Sequence, residues 1–123
     1  MKTNPRKKLG DFGESAAVKF LKDKGYEIVS TNYRCRYGEI DIVARDDYQI
    51  VFVEVRTKKG RAFGTPEESV SSIKQSRMVK AAETYLQDKG IESSDWRIDV
   101  VAIEVNSMDK VRRIDVIQNA VVG

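Results

Sequence analysis

The stretch GEIDIVARDDYQIVFVEVRTK, residues 38–58, constrains the fold of this chain more than any other. Two runs of alternating apolar residues flank the polar sequence RDDY, which is the signature of a β-hairpin. Strand side chains alternate between faces, so Ile40, Ile42 and Ala44 share one face while Glu39, Asp41 and Val43 share the other. Beyond the turn, Val51, Val53 and Val55 are set against Phe52, Glu54 and Arg56 in the same way. Matching the aliphatic faces over a four-residue loop, Asp46 to Gln49, puts Ile42 opposite Val53 and Ile40 opposite Val55. The same register puts Asp41 opposite Glu54, and Glu39 opposite Arg56. Directly opposed residues have Cβ atoms roughly 4.5–5.5 Å apart, and like charges in that relation destabilise a sheet. An Asp41–Glu54 pair therefore asks for a compensating cation, and Mg²⁺ takes such carboxylates as ligands while water and phosphate complete its shell. The blander reading is a half-solvated strand face, with Glu39 and Arg56 in an ordinary salt bridge and the acidic pair tolerated.

The flanking segments supply the layers that would cover such a hairpin. In GDFGESAAVKFLKDKG, residues 10–25, Phe12, Ala16, Ala17, Phe20 and Leu21 recur at helical spacing and a glycine closes the segment. Asp11 followed by Glu14 resembles a capping box, a local role for Glu14. Yet Glu14 also lies beside Leu21, at the flank of the apolar stripe, from where it could reach the sheet. YEIVSTNYR reads as a strand, as do WRIDVVAIEV and KVRRIDVI near the end. Between them, Thr65, Pro66 and Glu68 open a helical segment that closes on Gly90; it is one helix, or a short one running into a long one, because SVSS can break it. The order helix, three strands, helix, one or two strands predicts a mixed α/β fold, a central sheet of four to five strands flanked by helices. At 123 residues the chain is one domain, with residues 1–9 as a basic, flexible N-terminal arm.

Composition narrows the chemistry. The chain has no histidine, which removes Ser-His-Asp, Cys-His and His-metal chemistries together. With the single cysteine Cys35 there is no intramolecular disulfide and no cysteine-rich zinc site. Catalysis must rest on carboxylates, lysines, hydroxyls or a hard metal held by oxygen. A reducing cytoplasm fits the cysteine usage, and no apolar segment suggests a signal peptide or membrane span. The net charge of +3 is a weak pointer to nucleic acid, but basic residues bunch at NPRKK, YRCRY, RTKKGR and KVRR. Of these RTKKGR directly follows the acidic strand, so Lys58, Lys59 and Arg61, with Arg34 and Arg36, are the candidate phosphate contacts. Each cluster also reads as solvated surface charge.

Taken together, GDFGESAA, GEIDIVARD, VFVEVRT, GTPEESVSSIKQSRMVKAAETYL and RIDVVAI resemble the YraN-like family of uncharacterised bacterial proteins, from about Gly10 to about Ala120. That family is similar to archaeal Holliday junction resolvases and to the PD-(D/E)xK nuclease superfamily. The resemblance implies a restriction-endonuclease-like fold, a Mg²⁺ (or Mn²⁺) cofactor and branched or structured DNA as partner, with a homodimer by analogy with the resolvases. It implies further that Asp41 matches the superfamily aspartate, Glu54 the acidic residue of E-x-K, Glu14 the helical glutamate, and Lys74 an auxiliary residue of the second helix. The departure is Arg56, where the motif has lysine. Arginine stays protonated and is no general base, though it can stabilise a phosphate; Lys58 or Lys74 is then the candidate lysine. The expectation is a metal-dependent, structure-selective DNA endonuclease using Asp41, Glu54, Arg56, Glu14 and Lys74. The alternatives are a catalytically silent nucleic-acid-binding module and a partner-binding protein.

Overall fold

Asn4 and Pro5 set where the first helix begins. In a computed structural model that describes residues 4–60, 62, 64–92 and 94–121, the Asn4 side chain accepts the N–H of Arg6 at 3.0 Å and Pro5 fills the first helical position. Asparagine is among the best N-caps, and proline gives up no hydrogen bond at that position. Helix α1 (Pro5–Asp23) therefore starts ahead of the apolar periodicity, and residues 5–9, expected in the basic arm, form its opening turns. Asp11 and Glu14 lie inside the helix, so the expected capping role of Glu14 is wrong.

Strands β1 (Glu27–Cys35), β2 (Gly38–Asp46) and β3 (Gln49–Lys59) follow, then α2 (Ser72–Asp88), β4 (Trp96–Val105) and β5 (Val111–Val121). They form a five-stranded sheet in the order β1-β2-β3-β4-β5, antiparallel throughout except for the parallel pair β3–β4, which α2 connects. Helix α1 covers one face, with Ala17 and Leu21 against Ile42, Ala44, Val51, Val53 and Val101. Helix α2 covers the other, with Met78, Ala81, Ala82 and Tyr85 against Val43, Ile50, Phe52 and Ile98. The central strands are apolar on both faces because both are covered. This mixed sheet between helices is the restriction-endonuclease-like arrangement expected from the sequence.

The hairpin register is the expected one, Ile42 with Val53, but the loop is tighter. Asp46 and Gln49 are themselves paired, leaving Asp47 and Tyr48 as the turn, with Asp47 at φ 56°. Asp and Asn tolerate that left-handed backbone, which matches the twist of the flanking strands. The segment from Thr65 divides as SVSS allows. Pro66 leads into a 3₁₀ turn, Glu67–Ser69, and Thr65 accepts the Glu68 N–H at 3.4 Å and donates to Glu68 Oε1 at 2.7 Å. Ser71 then caps α2 by accepting the Lys74 N–H at 3.1 Å. Arg113 of β5 fastens this segment to the sheet, meeting Glu67 at 2.6 Å together with Glu104 and Asp115. Asp99 of β4 makes a salt bridge with Arg97 of the same strand. It is 0% exposed, 3.0 Å from Arg97 Nε, and also accepts the Asn119 N–H at 2.9 Å.

One contact fixes how closely α1 lies on the sheet. Gly13 is buried against Thr57 of β3, and a Cβ added there would stand 1.9 Å from Thr57 Oγ1 and 3.0 Å from Thr57 Cβ. The Thr57 hydroxyl is itself buried, with no hydrogen-bond partner among the described residues. Glycine is thus required for close approach rather than for its backbone freedom. Gly13→Ala is expected to destabilise the fold by about 1–3 kcal/mol, the usual range for overpacking. Thr57→Ala alone should be near neutral, since it removes an unsatisfied hydroxyl, and should recover part of the loss in the double variant. Thermal melts of the three variants check this; additive losses would show that the two residues do not meet.

Candidate functional site

The β2–β3 ladder runs from Asp46–Gln49 only as far as Ile42–Val53. Past that point Asp41 breaks away, and its Oδ2 accepts the backbone N–H of Val55 at 2.8 Å, replacing a strand partner. On its other side Asp41 faces Asn32, which drops out of the β1–β2 pairing between Thr31–Ile42 and Tyr33–Ile40 and has φ 56°. Asparagine enters that region more readily than most residues. The kink reverses the alternation of β2. Ile40 packs with Val43 on the α2 side, whereas Ile42 and Ala44 pack on the α1 side. The expected shared face for Ile40 and Ile42, and the expected pairing of Ile40 with Val55, are therefore corrected. Irregular backbone of this kind is over-represented next to active sites.

Four carboxylates converge at the split. Glu14 of α1, Glu39 and Asp41 each present one oxygen within 4.8 Å of the others, so a single hard cation can touch all three. Asn32 holds two of them, its amide donating to Glu14 Oε1 at 2.8 Å and to Glu39 Oε1 at 2.6 Å. Glu54 stands beyond Asp41, 6% exposed, on the α2 side with Phe52. Its Oε2 lies 3.0 Å from Arg56 Nε and 3.8 Å from Lys74 Nζ. The Arg56 Nε–H is not aligned on that oxygen and is buried with no hydrogen-bond acceptor among the described residues, so the contact is charge against charge. The expected Glu39–Arg56 salt bridge is absent: Arg56 turns to Glu54 on its own strand, while Glu39 meets Arg34 at 3.3 Å.

Burial first, then the neighbouring Glu54 charge, pushes the Asp41 carboxyl up to about 7; the Val55 N–H opposes the rise, and Glu14 and Glu39 add to it. Burial also raises Glu54, with Lys74 and Arg56 pulling it back. Two carboxyls this close favour holding one proton between them.

The site thus gathers Glu14, Asp41, Glu54, Arg56 and Lys74, all anticipated, and adds Glu39 and Asn32, which sequence reasoning missed. An asparagine inside a strand run was the available signal for the kink. The basic candidates are not gathered into one surface. Arg34 borders the acidic cluster, whereas Arg36 lies against Tyr37 with its guanidinium 4.8 Å from the ring centre. Lys59 pairs with Asp109 at 2.7 Å, Lys58 is opposite Glu104 in the β3–β4 ladder, and Arg61 lies outside the described residues.

The model of the uncharacterised protein family UPF0102 matches residues 13–103. The chain belongs to this family. It is similar to a UPF0102 protein of Moorella thermoacetica, 44% identical over 118 residues, covering 96% of this chain and 98% of that one. A UPF0102 protein of Caldicellulosiruptor bescii is 47% identical over 119 residues, covering 93% and 97%. One of Roseiflexus castenholzii is 48% identical over 104 residues, covering 84% of each chain. The span matched to UPF0102 holds every residue of the site, from Gly13 to Lys74, and leaves β5 outside. Among the described residues no helix is long and apolar enough to cross a membrane.

The raised carboxyl gives this UPF0102 chain a defined dependence on pH. Folded, Asp41 keeps its proton until about 7, against an ordinary 3.8. Between those values the folded state binds more protons than the unfolded one, so stability falls as pH rises through the window. Asp41→Asn keeps an acceptor for Val55 and removes the charge. In metal-free buffer, wild type should lose several degrees of melting temperature relative to Asp41→Asn between about pH 5 and about pH 8, at about 3–6 °C per kcal/mol. Parallel curves for the two proteins would contradict the raised carboxyl. Asp41→Ala, which leaves the Val55 N–H unpaired, should melt below Asp41→Asn throughout.

Proposed function

We propose that this protein is a Mg²⁺-dependent endonuclease of the Holliday-junction-resolvase type, selective for branched or structured DNA. The observation that carries the reading is the convergence of Glu14, Glu39 and Asp41 at the split between β2 and β3, beside Glu54 with its two cations. An all-oxygen donor set whose members repel one another suits a hard divalent ion and nothing softer. Asp41, with Glu14 and Glu39, would hold Mg²⁺ or Mn²⁺, and Glu54 would complete the set through its proximity to Asp41. When bound, the ion supplies Lewis-acid charge at a phosphate and lowers the pKa of water.

The remaining roles belong to the chain itself. Arg56, fixed charged beside Glu54, is placed to stabilise the extra negative charge of a phosphate under attack. Lys74 approaches Glu54 from α2, and so stands in for the lysine that the resembled motif carries at position 56. It can orient a water beside Glu54. Lys58, the other lysine considered, is directed by its strand register toward Glu104. Asn32 keeps Glu14 and Glu39 from separating, and the Gly13–Thr57 contact sets how far Glu14 reaches. The arginine at position 56 is also the observation favouring a second reading, a nucleic-acid-binding module whose metal site no longer turns over.

Incubation with four-way junctions, flaps and linear duplexes in Mg²⁺ or Mn²⁺ tests both. Cleavage of branched DNA is expected from the wild type, and Asp41→Asn and Glu54→Gln should abolish it. Lys74→Gln should lower the rate by about 10²-fold or more. Cleavage that survives Asp41→Asn and Glu54→Gln removes the active-site assignment. Binding without cleavage, together with cutting gained by Arg56→Lys, would establish the second reading.

A further inference from the structure

Most cations around the acidic site face a carboxylate, as Arg34, Arg56, Lys59 and Lys74 do. One group does not. Arg36 of the β1–β2 turn and Arg77 and Lys80 of α2 line an open cavity of about 540 Å³, with Tyr37, Ile73 and Ser76. All three cations are exposed, and no ion pair joins any of them to a carboxylate among the described residues. Glu83, one turn on from Lys80, borders the adjoining hollow with Val79 and Val121 and is not paired with Lys80. Tyr37 fixes two of the three without neutralising them. The Arg36 guanidinium sits 4.8 Å and the Lys80 ammonium 5.7 Å from its ring centre. Like charges gathered at one cavity repel, and an anion relieves the repulsion.

Residues that line the cavity adjoin residues of the proposed active site along the chain. Tyr37 and Gly38 lead directly into Glu39, and Ile73 precedes Lys74, whose ammonium reaches Glu54. On α2, Lys74, Arg77 and Lys80 recur three residues apart, which keeps them neighbours along one side of the helix. At about 1.5 Å of rise per residue they span roughly 9 Å, against about 3.4 Å of axis per phosphate of one duplex strand. The row is therefore long enough to meet more than one phosphate of a strand. Its spacing follows a backbone and reads no base, as a junction enzyme indifferent to sequence would need.

We propose that Arg77, Lys80 and Arg36 form a phosphate track that carries one DNA strand away from the acidic site along α2, starting at Lys74. The proposal rests on the endonuclease reading above for the identity of the strand. The track accounts for Arg36, which the sequence singled out, and adds Arg77 and Lys80, which it did not. The exposed Ile73, at 67%, gives the track an apolar rim for sugar contacts.

The test is binding of a fluorescein-labelled four-way junction in EDTA, with salt raised from about 50 to about 200 mM. Three proteins are compared: wild type, Arg36→Ala/Arg77→Ala/Lys80→Ala, and a charge-matched control, Lys22→Ala/Arg45→Ala/Arg112→Ala, whose sites are exposed and away from the cavity. The track variant should bind at least about tenfold more weakly. Its slope of log affinity against log salt should be shallower by about 2 to 3, one counterion-release step per lost contact. The control should stay close to wild type, and all three should melt together. If wild type binds and the track variant matches it, or falls only as far as the control, the track is overturned while the endonuclease reading stands. If wild type binds no junction at any salt, that reading and the track fail together.

Discussion

Val55 gives its backbone N–H to the Asp41 carboxylate instead of to a carbonyl of β2, and the geometry of the site depends on that exchange. A buried N–H on an interior strand must have an acceptor. Supplying it from a side chain lets β2 leave the ladder past Ile42 without an unsatisfied group on β3. The same bond holds a carboxylate in a part-buried position between the two covered faces of the sheet. Glu14 and Glu39 reach it from the α1 side, and Glu54 from the α2 side. The kink at Asn32 completes the opening, and its amide binds the two glutamates that would otherwise repel each other apart.

Much of this was legible in the sequence because the hairpin constrains itself. Aliphatic alternation on both arms fixes the register at Ile42–Val53, and that register points to Asp41 and Glu54 as neighbours, although the ladder ends before they pair and Asp41 takes the Val55 N–H instead. The strands, the break before α2 and the mixed architecture followed from the same periodicities. What remained hidden was of a different kind. Strict alternation cannot foresee a face reversal, so Ile40 was assigned with Ile42 and Glu39 was given to Arg56. The reversal arises from a left-handed residue on the neighbouring strand and a carboxylate that prefers a backbone N–H to a cross-strand partner. The capping box at Asp11 and Glu14 failed because a stronger start, Asn4–Pro5, lay upstream where the apolar pattern had not begun. Its failure matters for function. A glutamate in the middle of a helix has no capping role, and Glu14 is left with the sheet as its partner.

The ionic networks of the molecule separate by whether their charges are met. Arg97 is surrounded by Asp99, Asp46, Gln49 and the Tyr26 hydroxyl, and Arg113 by Glu67, Glu104 and Asp115. Each is a single guanidinium with its donors engaged, and each ties strand ends or a loop to the sheet. Such sets are complete without a ligand. Removing one member would strand a buried charge, which is a structural loss.

The split between β2 and β3 is different, because its charges are sorted rather than matched. Acids accumulate toward α1, and the cations that answer them, Arg56 and Lys74, both press on Glu54. Glu14 and Glu39 have Asn32 between them, and among the described residues the ion pair in this group is that of the exposed Arg34 with Glu39. Farther along α2 the imbalance has the opposite sign, with Arg36, Arg77 and Lys80 around one cavity. A chain that needed only stability would have interleaved these groups, since like charges in proximity lower it. Side-by-side surpluses of opposite sign are instead complementary to a ligand that carries both signs, a cation bound to a polyanion. The phosphodiester strand and divalent ion proposed above have that distribution.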